Sequence, residues 1–463
     1  MSQDSISSSL ARFVAETRYV DLPPRTIEMT KRCLLDALGV TLAASTLGEG
    51  CGAFIEIAEE HAGKNTSTII GTQRQAPAAM AAFANGSMAH ALDFEDAHDR
   101  ALVHPNAATV PAALAVAEEI GSISGQQLIT ALAIGCEVVC RMGFALRVAL
   151  DDYGWYPPPI LGAYGATAAA AHLYGLDAGQ VRDAFSLALC QATCSAEIKY
   201  SPDSVVRAVR DAFAAKAGVL SAQLARKGVR GFDAPFEGKA GFFALFARGH
   251  YEPLALIQQL GKIFAIDTIS FKPWPSCRGT HVYIEGAMAL ASEHRVVPER
   301  IKQIRTYGHR INRMLAEPLE QKRAPATAID AKFSIPFTVA SALRHGNVTL
   351  DSFTTAALQD PNVLDLARRI NFSIVESQAN SVEDVTRGSI EIEMDDGAVH
   401  FQHLDRPLGH PQHALTEADL VRKFIACGRH SARGHSDASL QQLAATTLAL
   451  EHVARVGELT RML

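Results

Sequence analysis

The sequence predicts a mainly α fold, in which a large all-helical domain carries an inserted, smaller α+β domain. From residue 8 to about residue 250, apolar residues recur at three- and four-residue spacing, which is typical of amphipathic helices. Strand-like alternation appears only between residues 266 and 408, and the helical spacing returns after residue 409. At 463 residues and 48% hydrophobic composition, the chain is long enough to form two hydrophobic cores.

The helices of the first part follow from this spacing and from the Gly, Pro and Asp residues that interrupt it. Much of their apolar content is alanine, which allows helices to approach one another closely. The clearest helical segments are 8–17, 26–44, 108–121, 125–150 and 178–195. They predict a helical domain over residues 1–265.

The middle part mixes strands with helices. Residues 301–310 and 371–377 are predicted strands, and 388–404 is a predicted hairpin. In the hairpin, Ile390, Ile392 and Met394 alternate with charged residues before a turn at Asp396 and Gly397. Helices are predicted over 281–294 and 334–346.

The last helical part begins near Thr416, which is followed by Glu417 and Asp419 in a near capping-box pattern. In the simplest topology, residues 409–463 pack back onto the first domain. Residues 266–408 would then be an insertion that acts as a lid.

Composition limits the classes of partner. The net charge of −6 provides no basic face for nucleic acid, so we expect a small-molecule partner. The N-terminal residues lack a signal-peptide pattern, and no run of eighteen apolar residues occurs. We therefore expect a cytoplasmic protein with no membrane segment. The eight cysteines predict free thiols rather than a disulfide framework.

Residues 85–106 concentrate seven acidic or histidine side chains in a short stretch: His90, Asp93, Glu95, Asp96, His98, Asp99 and His104. A helix over 87–97 would place His90 and Asp93 on one face. A metal site would use His90, Asp93, His98 and His104, but the spacing that aims two ligands from one helix is missing. Two interpretations stay open: a capped helix end with solvated acids, or acid/base chemistry at His104, which Pro105 holds in an extended loop.

Residues 271–290 predict an anion site. Two prolines stiffen an extended arm, Ser276 is the expected N-cap, and Cys277 and Arg278 fall in the first helical turn. Free backbone N–H groups together with Lys272 and Arg278 would bind a carboxylate. The alternative is a basic surface turn.

Two further segments carry weaker signals. The loop before residue 160 suits Trp155 and Tyr156 as pocket-lining side chains, although such loops are more often simple turns into core helices. Arg207, Arg210 and Arg230 are candidates for binding anionic substrate groups. The first two, three residues apart, more often form one solvated stripe.

Together these segments resemble the MmgE/PrpD family, which includes 2-methylcitrate dehydratase, cis-aconitate decarboxylase and iminodisuccinate epimerase. The motifs that carry the resemblance lie in one order along nearly the whole chain. They are "NG…AHALDFEDAH…HP", "GWYPPPILGAYGATAAAAHLYGLD", "KPWPSCRGTH" and "DAKFSIPFTVASAL". The resemblance implies a helical domain with an α+β lid, a homodimer, and neither metal nor organic cofactor.

By motif position, the family's catalytic or substrate-contacting Asp, His and Lys correspond to Asp93, His104 and Lys272. Tyr156 stands where the family's loop has histidine. Arg207 and Arg210 stand where relatives usually have Lys and His. An Arg keeps the charge of a Lys, but it does not serve as a proton donor because the guanidinium stays protonated.

The resemblance implies a cofactor-independent lyase of dehydratase type, acting on a hydroxy di- or tricarboxylate. We expect His104 to be the acid/base, Asp93 to orient it, and Tyr156 to replace the loop histidine as proton donor. Lys272 is expected in the catalytic set and, with Arg278, to bind carboxylate. The alternatives are an epimerase or decarboxylase of a polycarboxylate, or a binding protein that lost catalysis. The remaining predicted substrate-binding residues are Arg207, Arg210, Cys277 and His281.

Overall fold

The computed structural model describes residues 5–61, 63–201, 203–375 and 385–463. Up to residue 265 nearly all the regular secondary structure of the described chain is helical, as predicted. Two helices begin with reciprocal capping boxes, formed by Ser124 with Gln127 and by Asp177 with Gln180. A two-stranded antiparallel ribbon, β1 (Ser67–Thr68) and β2 (Gln75–Ala76), interrupts the helices. The helices are α1 (Ile6–Glu16), α2 (Pro24–Leu47), α3 (Cys51–Glu60), α4 (Ala78–Ala91), α5 (Pro105–Ile120), α6 (Gly125–Ala145), α7 (Pro157–Leu173), α8 (Ala178–Leu189), α9 (Val206–Val209), α10 (Asp211–Arg226), α11 (Phe242–Ala247) and α12 (Pro253–Ile257).

The centre of this part is a bundle of α4, α5, α7 and α10, which pack against one another. Small residues permit the close approach. A Cβ atom on Gly165 would lie 2.3 Å from Val139, and one on Gly218 would lie 2.4 Å from Ala166. The alanine-rich composition therefore allows the close helix packing that the sequence predicts.

The middle part contains a four-stranded sheet with strand order β4-β3-β5-β6. The central strands β3 and β5 are antiparallel, as are β5 and β6, whereas β3 and β4 are parallel. The α-helix α13 covers the face on which Ile390, Ile392 and Met394 are buried. The elements are α13 (His281–His294), β3 (Ile301–Gly308), α14 (Leu319–Arg323), α15 (Ala328–Lys332), α16 (Ile335–His345), α17 (Thr355–Leu358), α18 (Pro361–Arg368), β4 (Ile370–Ile374), β5 (Gly388–Met394) and β6 (Val399–Leu404).

The strand predictions are confirmed where the structure describes them. The hairpin turns at Gly397, whose φ of 87° lies in the left-handed region that glycine accepts without strain. The predicted strand 371–377 is β4, although its last two residues lie outside the described residues.

The last helices are α19 (Glu417–Gly428), α20 (Asp437–Leu448) and α21 (Val456–Thr460). Thr416 caps α19 in a capping box with Asp419, as predicted. Helices α19 and α20 pack on α2, and α21 packs on α5, so the end of the chain lies against the first helical part. The division into domains and the lid role of the middle part stay predictions.

Among the described helices, α6 is long and apolar enough to cross a membrane by length and composition. Of its most apolar window, 89% is buried inside the protein, as in the core helix of a globular fold. The bent pair formed by α2 and α3 also passes this test if it is counted as one span. All eight cysteines are free thiols.

Candidate active site

A loop between α4 and α5, residues 92–104, carries the candidate site. The helix predicted over 87–97 is wrong in its second half, because α4 ends at Ala91 and Asp93 has a left-handed φ of 47°. The Lys272 ammonium donates hydrogen bonds to the Asp93 carbonyl oxygen at 2.9 Å and to Oδ1 at 2.5 Å. This partner, 179 residues away, holds the unusual turn in place.

Glu95 is the centre of the loop. Its Oε1 accepts a hydrogen bond from His90 Nδ1 and lies 3.0 Å from His104 Nδ1. The two imidazole ring centroids are 5.1 Å apart. One buried carboxylate therefore holds both imidazoles.

These contacts define the His104 tautomer. His104 Nδ1 lies 3.0 Å from Glu95 Oε1 and 3.0 Å from the carbonyl oxygen of Asp96. Because a carbonyl oxygen only accepts, Nδ1 carries the proton, and the neutral ring has its lone pair on Nε2. The His104 side chain is 17% exposed, whereas those of His90 and Glu95 are almost completely buried. His104 Nε2 is thus the site nitrogen that a substrate reaches most directly.

The charges of this group follow from its neighbours. Although burial alone raises the pKa of a carboxyl group, His90, Lys272 and His104 hold the pKa of Glu95 well below its ordinary value. Burial and the charge of Arg210 lower the pKa of His90. Glu95 is therefore a carboxylate and His90 a neutral imidazole near neutral pH.

Asp93 and Lys272 form a buried ion pair, with both side chains at most 1% exposed. Burial acts against both charges, but Lys272 lowers the pKa of Asp93 and Asp93 raises the pKa of Lys272. Both groups stay charged. The structure brings Asp93, His104 and Lys272 together, as the resemblance implies.

Tyr156, Arg207 and Arg210 lie together next to this loop. The Arg210 guanidinium lies 5.1 Å from the centre of the Tyr156 ring, and Arg207 lies 5.8 Å from it. Arg207 also stacks on Phe333 at 3.4 Å. The solvated stripe considered as an alternative is wrong, because Arg207 and Arg210 are only 7% and 2% exposed.

Both guanidinium groups have unused donors. Nε and Nη2 of Arg207 and of Arg210 are buried and have no hydrogen-bond partner among the described residues, and Arg210 Nε lies 3.5 Å from Asp211 Oδ2 as an ion pair. A buried N–H group without a partner is costly, and it is satisfied when an anion binds. Burial alone lowers the pKa of Arg210, but Tyr156, Asp211 and the loop carboxylates raise it. The pair forms a candidate carboxylate-binding site.

A second polar layer supports the loop from behind. The Lys423 ammonium on α19 binds Asp36 Oδ1 at 2.6 Å and donates to the Phe94 carbonyl oxygen at 2.6 Å. Asn106 donates to Asp96 Oδ2 at 2.9 Å. Burial and the nearby Asp36 raise the pKa of Asp96 to about 7.

Arg278 and His281 lie elsewhere. Arg278 binds Asp99 at 3.2 Å and donates to the carbonyl oxygen of Leu408 at 3.1 Å, so its charge is already paired. His281 is completely buried and contacts Arg278 and the carbonyl oxygen of Ser276. The structure therefore places these two residues in the support of the 271–281 turn, while their substrate-binding role stays a prediction.

The start of that turn also differs from the prediction. Ser276 does not cap a helix: Cys277 precedes a 3₁₀ turn, and α13 begins only at His281. The backbone N–H of Cys277 donates to the carbonyl oxygen of Lys332 at 2.9 Å. That donor is thus taken, and burial raises the pKa of the Cys277 thiol to about 11.

Three other residues fall outside the site. Trp155 packs on Phe246 with ring centroids 5.0 Å apart, and Arg230 is exposed. His98 hydrogen-bonds Thr268, and burial lowers its pKa to about 4.

The residues that could bind a metal differ from the predicted set, because Glu95 takes the place of His98. Ligand atoms of His90, Asp93, Glu95 and His104 all lie within 4.8 Å of one another. However, Lys272 already occupies Asp93 Oδ1, and Glu95 Oε1 accepts from the imidazoles. A divalent ion would have to displace these contacts next to the buried charges of Lys272 and Arg210. The donor set fits a hydrogen-bonded acid/base group better than a metal centre.

Glu95 is the main site residue that the sequence prediction omits. Its signal was present, because it lies between two histidines of the dense 85–106 stretch. In the predicted helix over 87–97, the Glu95 side chain points partly away from His90. In the structure α4 ends at Ala91, and the loop that follows brings Glu95 back to His90.

Comparisons with known proteins find matches along most of the chain. A family model described as the MmgE/PrpD N-terminal domain matches residues 8–254, and one described as the MmgE/PrpD C-terminal domain matches residues 274–448. A cis-aconitate decarboxylase-like protein of Aspergillus oryzae is 27% identical over 482 residues, covering 100% of this chain and 98% of the relative. Cis-aconitate decarboxylase of Mus musculus is 28% identical, covering 91% of this chain and 86% of the relative. 2-Methylcitrate dehydratase of Cupriavidus necator is 23% identical, covering 88% and 87%.

Proposed function

The chain belongs to the MmgE/PrpD family, and from this premise we propose that it moves a proton at a carbon next to a carboxylate of a di- or tricarboxylate. It does so as a lyase without a metal or organic cofactor. One observation carries the proposal: the open Nε2 of His104 belongs to the same buried site as two guanidinium groups with unpaired N–H donors.

In this proposal the substrate carboxylates bind Arg207 and Arg210. Removing or adding a proton on the adjacent carbon passes through an enolate-like anion, which these cations stabilise. The Glu95 carboxylate keeps the His104 ring in position and stabilises its protonated form. Asp93, which forms an ion pair with Lys272, is the second carboxylate of the site.

Two reactions share this step. In decarboxylation of a β,γ-unsaturated tricarboxylate, the bond to CO2 breaks and its electron pair shifts through the alkene. Protonated His104 then supplies a proton to the carbon next to a carboxylate. In dehydration, neutral His104 removes that proton, and hydroxide leaves from the adjacent carbon with a proton from Tyr156.

We propose decarboxylation as the first outcome to test. It is supported by the relatives named for cis-aconitate decarboxylation. Dehydration, the outcome preferred from the sequence, is the second candidate. It is supported by the relative named 2-methylcitrate dehydratase and by the position of Tyr156.

Proton NMR in deuterium oxide with a panel of polycarboxylates tests both candidates. The panel is citrate, 2-methylcitrate, cis-aconitate, malate, tartrate and iminodisuccinate. A decarboxylase releases CO2 and places one deuterium next to a carboxylate, whereas a dehydratase forms an alkene and water. An epimerase exchanges the α-proton without loss of mass. Binding without turnover of any panel member would contradict the lyase proposal.

We also propose that the protein is a homodimer, as the resemblance implies. In support, Phe213 on α10 is 51% exposed and packs edge-on against Phe54 and Phe83, which leaves an apolar surface for a second copy. Light scattering after size-exclusion chromatography tests the oligomeric state.

A further inference from the structure

A cavity of about 560 Å³ lies between the helical part and the middle part, beside the candidate site. Its exposed rim includes Thr46, Glu49, Thr354 and Thr355. Its volume is within the range of small-molecule sites. The buried side chains that line it include Ala91, Leu92, Ala208, Ile329, Lys332 and Phe353.

Lys332 is the cation that lines this cavity. It is only 3% exposed, and its ammonium lies 3.7 Å from the centre of the Phe353 ring. No carboxylate of the described residues lies within ion-pair distance of it. A buried ammonium without an ion-pair partner is costly, and an anion that enters the cavity supplies the missing charge.

The wall of the cavity is continuous with the site. Ala91 and Leu92 line it, and they lie in the chain between His90 and Asp93. Ala208 lies between the two site arginines. On the other wall, Lys332 is followed by Phe333, which stacks on Arg207.

Electrostatics connect the same groups. The pKa of Lys332 is lowered to about 7. Burial is the main cause and the charge of Lys272 adds to it, whereas Asp93 and Glu49 act in the opposite direction. Lys332 is therefore close enough to the Asp93–Lys272 pair to respond to its charges. A carboxylate bound at Lys332 would favour the protonated ammonium.

We propose that this cavity admits the substrate and receives its end farthest from the reacting carbon, where Lys332 binds a carboxylate. The inference rests on the proposed function, because it assumes a polycarboxylate that also contacts the arginines. Lys332 would then distinguish substrates with a remote carboxylate from those without one.

Steady-state kinetics of Lys332→Met on the panel test this role. We expect KM for tricarboxylates to rise at least tenfold while kcat changes less than tenfold, with partial recovery in Lys332→Arg. Dicarboxylates should be affected less. The matched control is Lys31→Met, which removes another buried lysine, one paired with Glu451 far along the chain. It should leave KM unchanged.

Two other outcomes would contradict either the role of Lys332 or the proposed function. Unchanged KM for every substrate in Lys332→Met, or a large loss of kcat at constant KM, would overturn the inference while the proposed function stands. If the wild-type protein turns over no panel member, the proposed function itself has failed.

A second variant covers the case in which Lys332→Met does not fold. Thr355→Trp narrows the cavity from its exposed rim without changing the core. It should lower kcat/KM for tricarboxylates at least tenfold. Wild-type kcat/KM in this variant would overturn the entry route.

Discussion

At the scale of single residues, the chemistry depends on how one carboxylate places two imidazoles. Glu95 binds the Nδ1 side of both His90 and His104, and only His104 is partly exposed. Loss of the residue that holds a catalytic imidazole in one tautomer can lower kcat by about 10⁴-fold. The two histidines are therefore not equivalent.

The first prediction concerns the acid/base residue. His104→Gln should lower kcat by roughly 10²- to 10⁴-fold with little change in KM, because general acid/base catalysis acts on the chemical step. Steady-state kinetics and a circular dichroism spectrum check it. A folded variant within about threefold of wild-type kcat would make Tyr156 the next candidate base.

The second prediction concerns metal. The donor atoms of the site are engaged by Lys272 and by imidazole N–H groups, so activity should survive dialysis against EDTA. Activity before and after dialysis is the measurement. Loss of activity that one divalent ion restores would contradict the hydrogen-bonded interpretation.

At the scale of elements, the loop 92–104 is held by helices that are distant in sequence. Lys423 on α19 binds both Asp36 on α2 and the Phe94 carbonyl oxygen. Its ammonium also lies 3.9 Å from the centre of the Phe94 ring. The C-terminal helices thus support the backbone that carries Asp93 and Glu95.

The third prediction follows from this support. Lys423→Met leaves the buried Asp36 without its partner, which typically costs about 3–5 kcal/mol of stability. The double variant Lys423→Met/Asp36→Leu should recover much of that loss. In that folded double variant kcat should still be reduced, because the Phe94 carbonyl has lost its donor. Denaturant unfolding and kinetics measure the two effects, and wild-type kcat would contradict the positioning role.

The fourth prediction concerns pH. The native pKa of Asp96 is about 7, above the value of about 3.9 for an unfolded chain, so the native state binds more protons between those pH values. The free energy of unfolding should therefore fall as pH rises through this window. Over the whole window this loss of unfolding free energy amounts to up to about 4 kcal/mol, because one pKa unit corresponds to about 1.4 kcal/mol. The variant Asp96→Asn has no carboxyl group at this position and should not show the loss.

Denaturant unfolding of wild type and Asp96→Asn at pH 5 and pH 8 measures this difference. The variant should gain stability relative to wild type at the higher pH. Equal changes in both proteins would show that Asp96 is not the group that titrates.

At the scale of the whole molecule, the proposed anion site lies where the two parts of the chain meet. Arg207 belongs to the helical part, and its guanidinium stacks on Phe333 of the middle part. Closure of the middle part over a bound substrate would exclude water and strengthen each charge interaction. The lid role proposed for residues 266–408 depends on this contact.

The fifth prediction tests that contact. Arg207→Lys keeps the charge but loses the planar fork and the stacking on Phe333. It should change the ratio of kcat/KM between tricarboxylates and dicarboxylates at least tenfold, while the midpoint of thermal unfolding changes by only a few degrees. An unchanged ratio would indicate that Arg207 does not contact substrate. Arg230→Lys, at an exposed arginine, is the control.

The sequence by itself determined the mainly helical fold, the strands of the middle part and the family, and it predicted Asp93, His104 and Lys272, which the structure brings together in the candidate site. These depend on local spacing and on motifs, which are visible along the chain. Only the tertiary structure decided which charged groups are paired and which are open. Arg278 and Arg207 look alike in the sequence, yet Asp99 neutralises Arg278 while the donors of Arg207 have no partner. Burial and pairing depend on contacts between residues up to several hundred positions apart, which no local pattern contains.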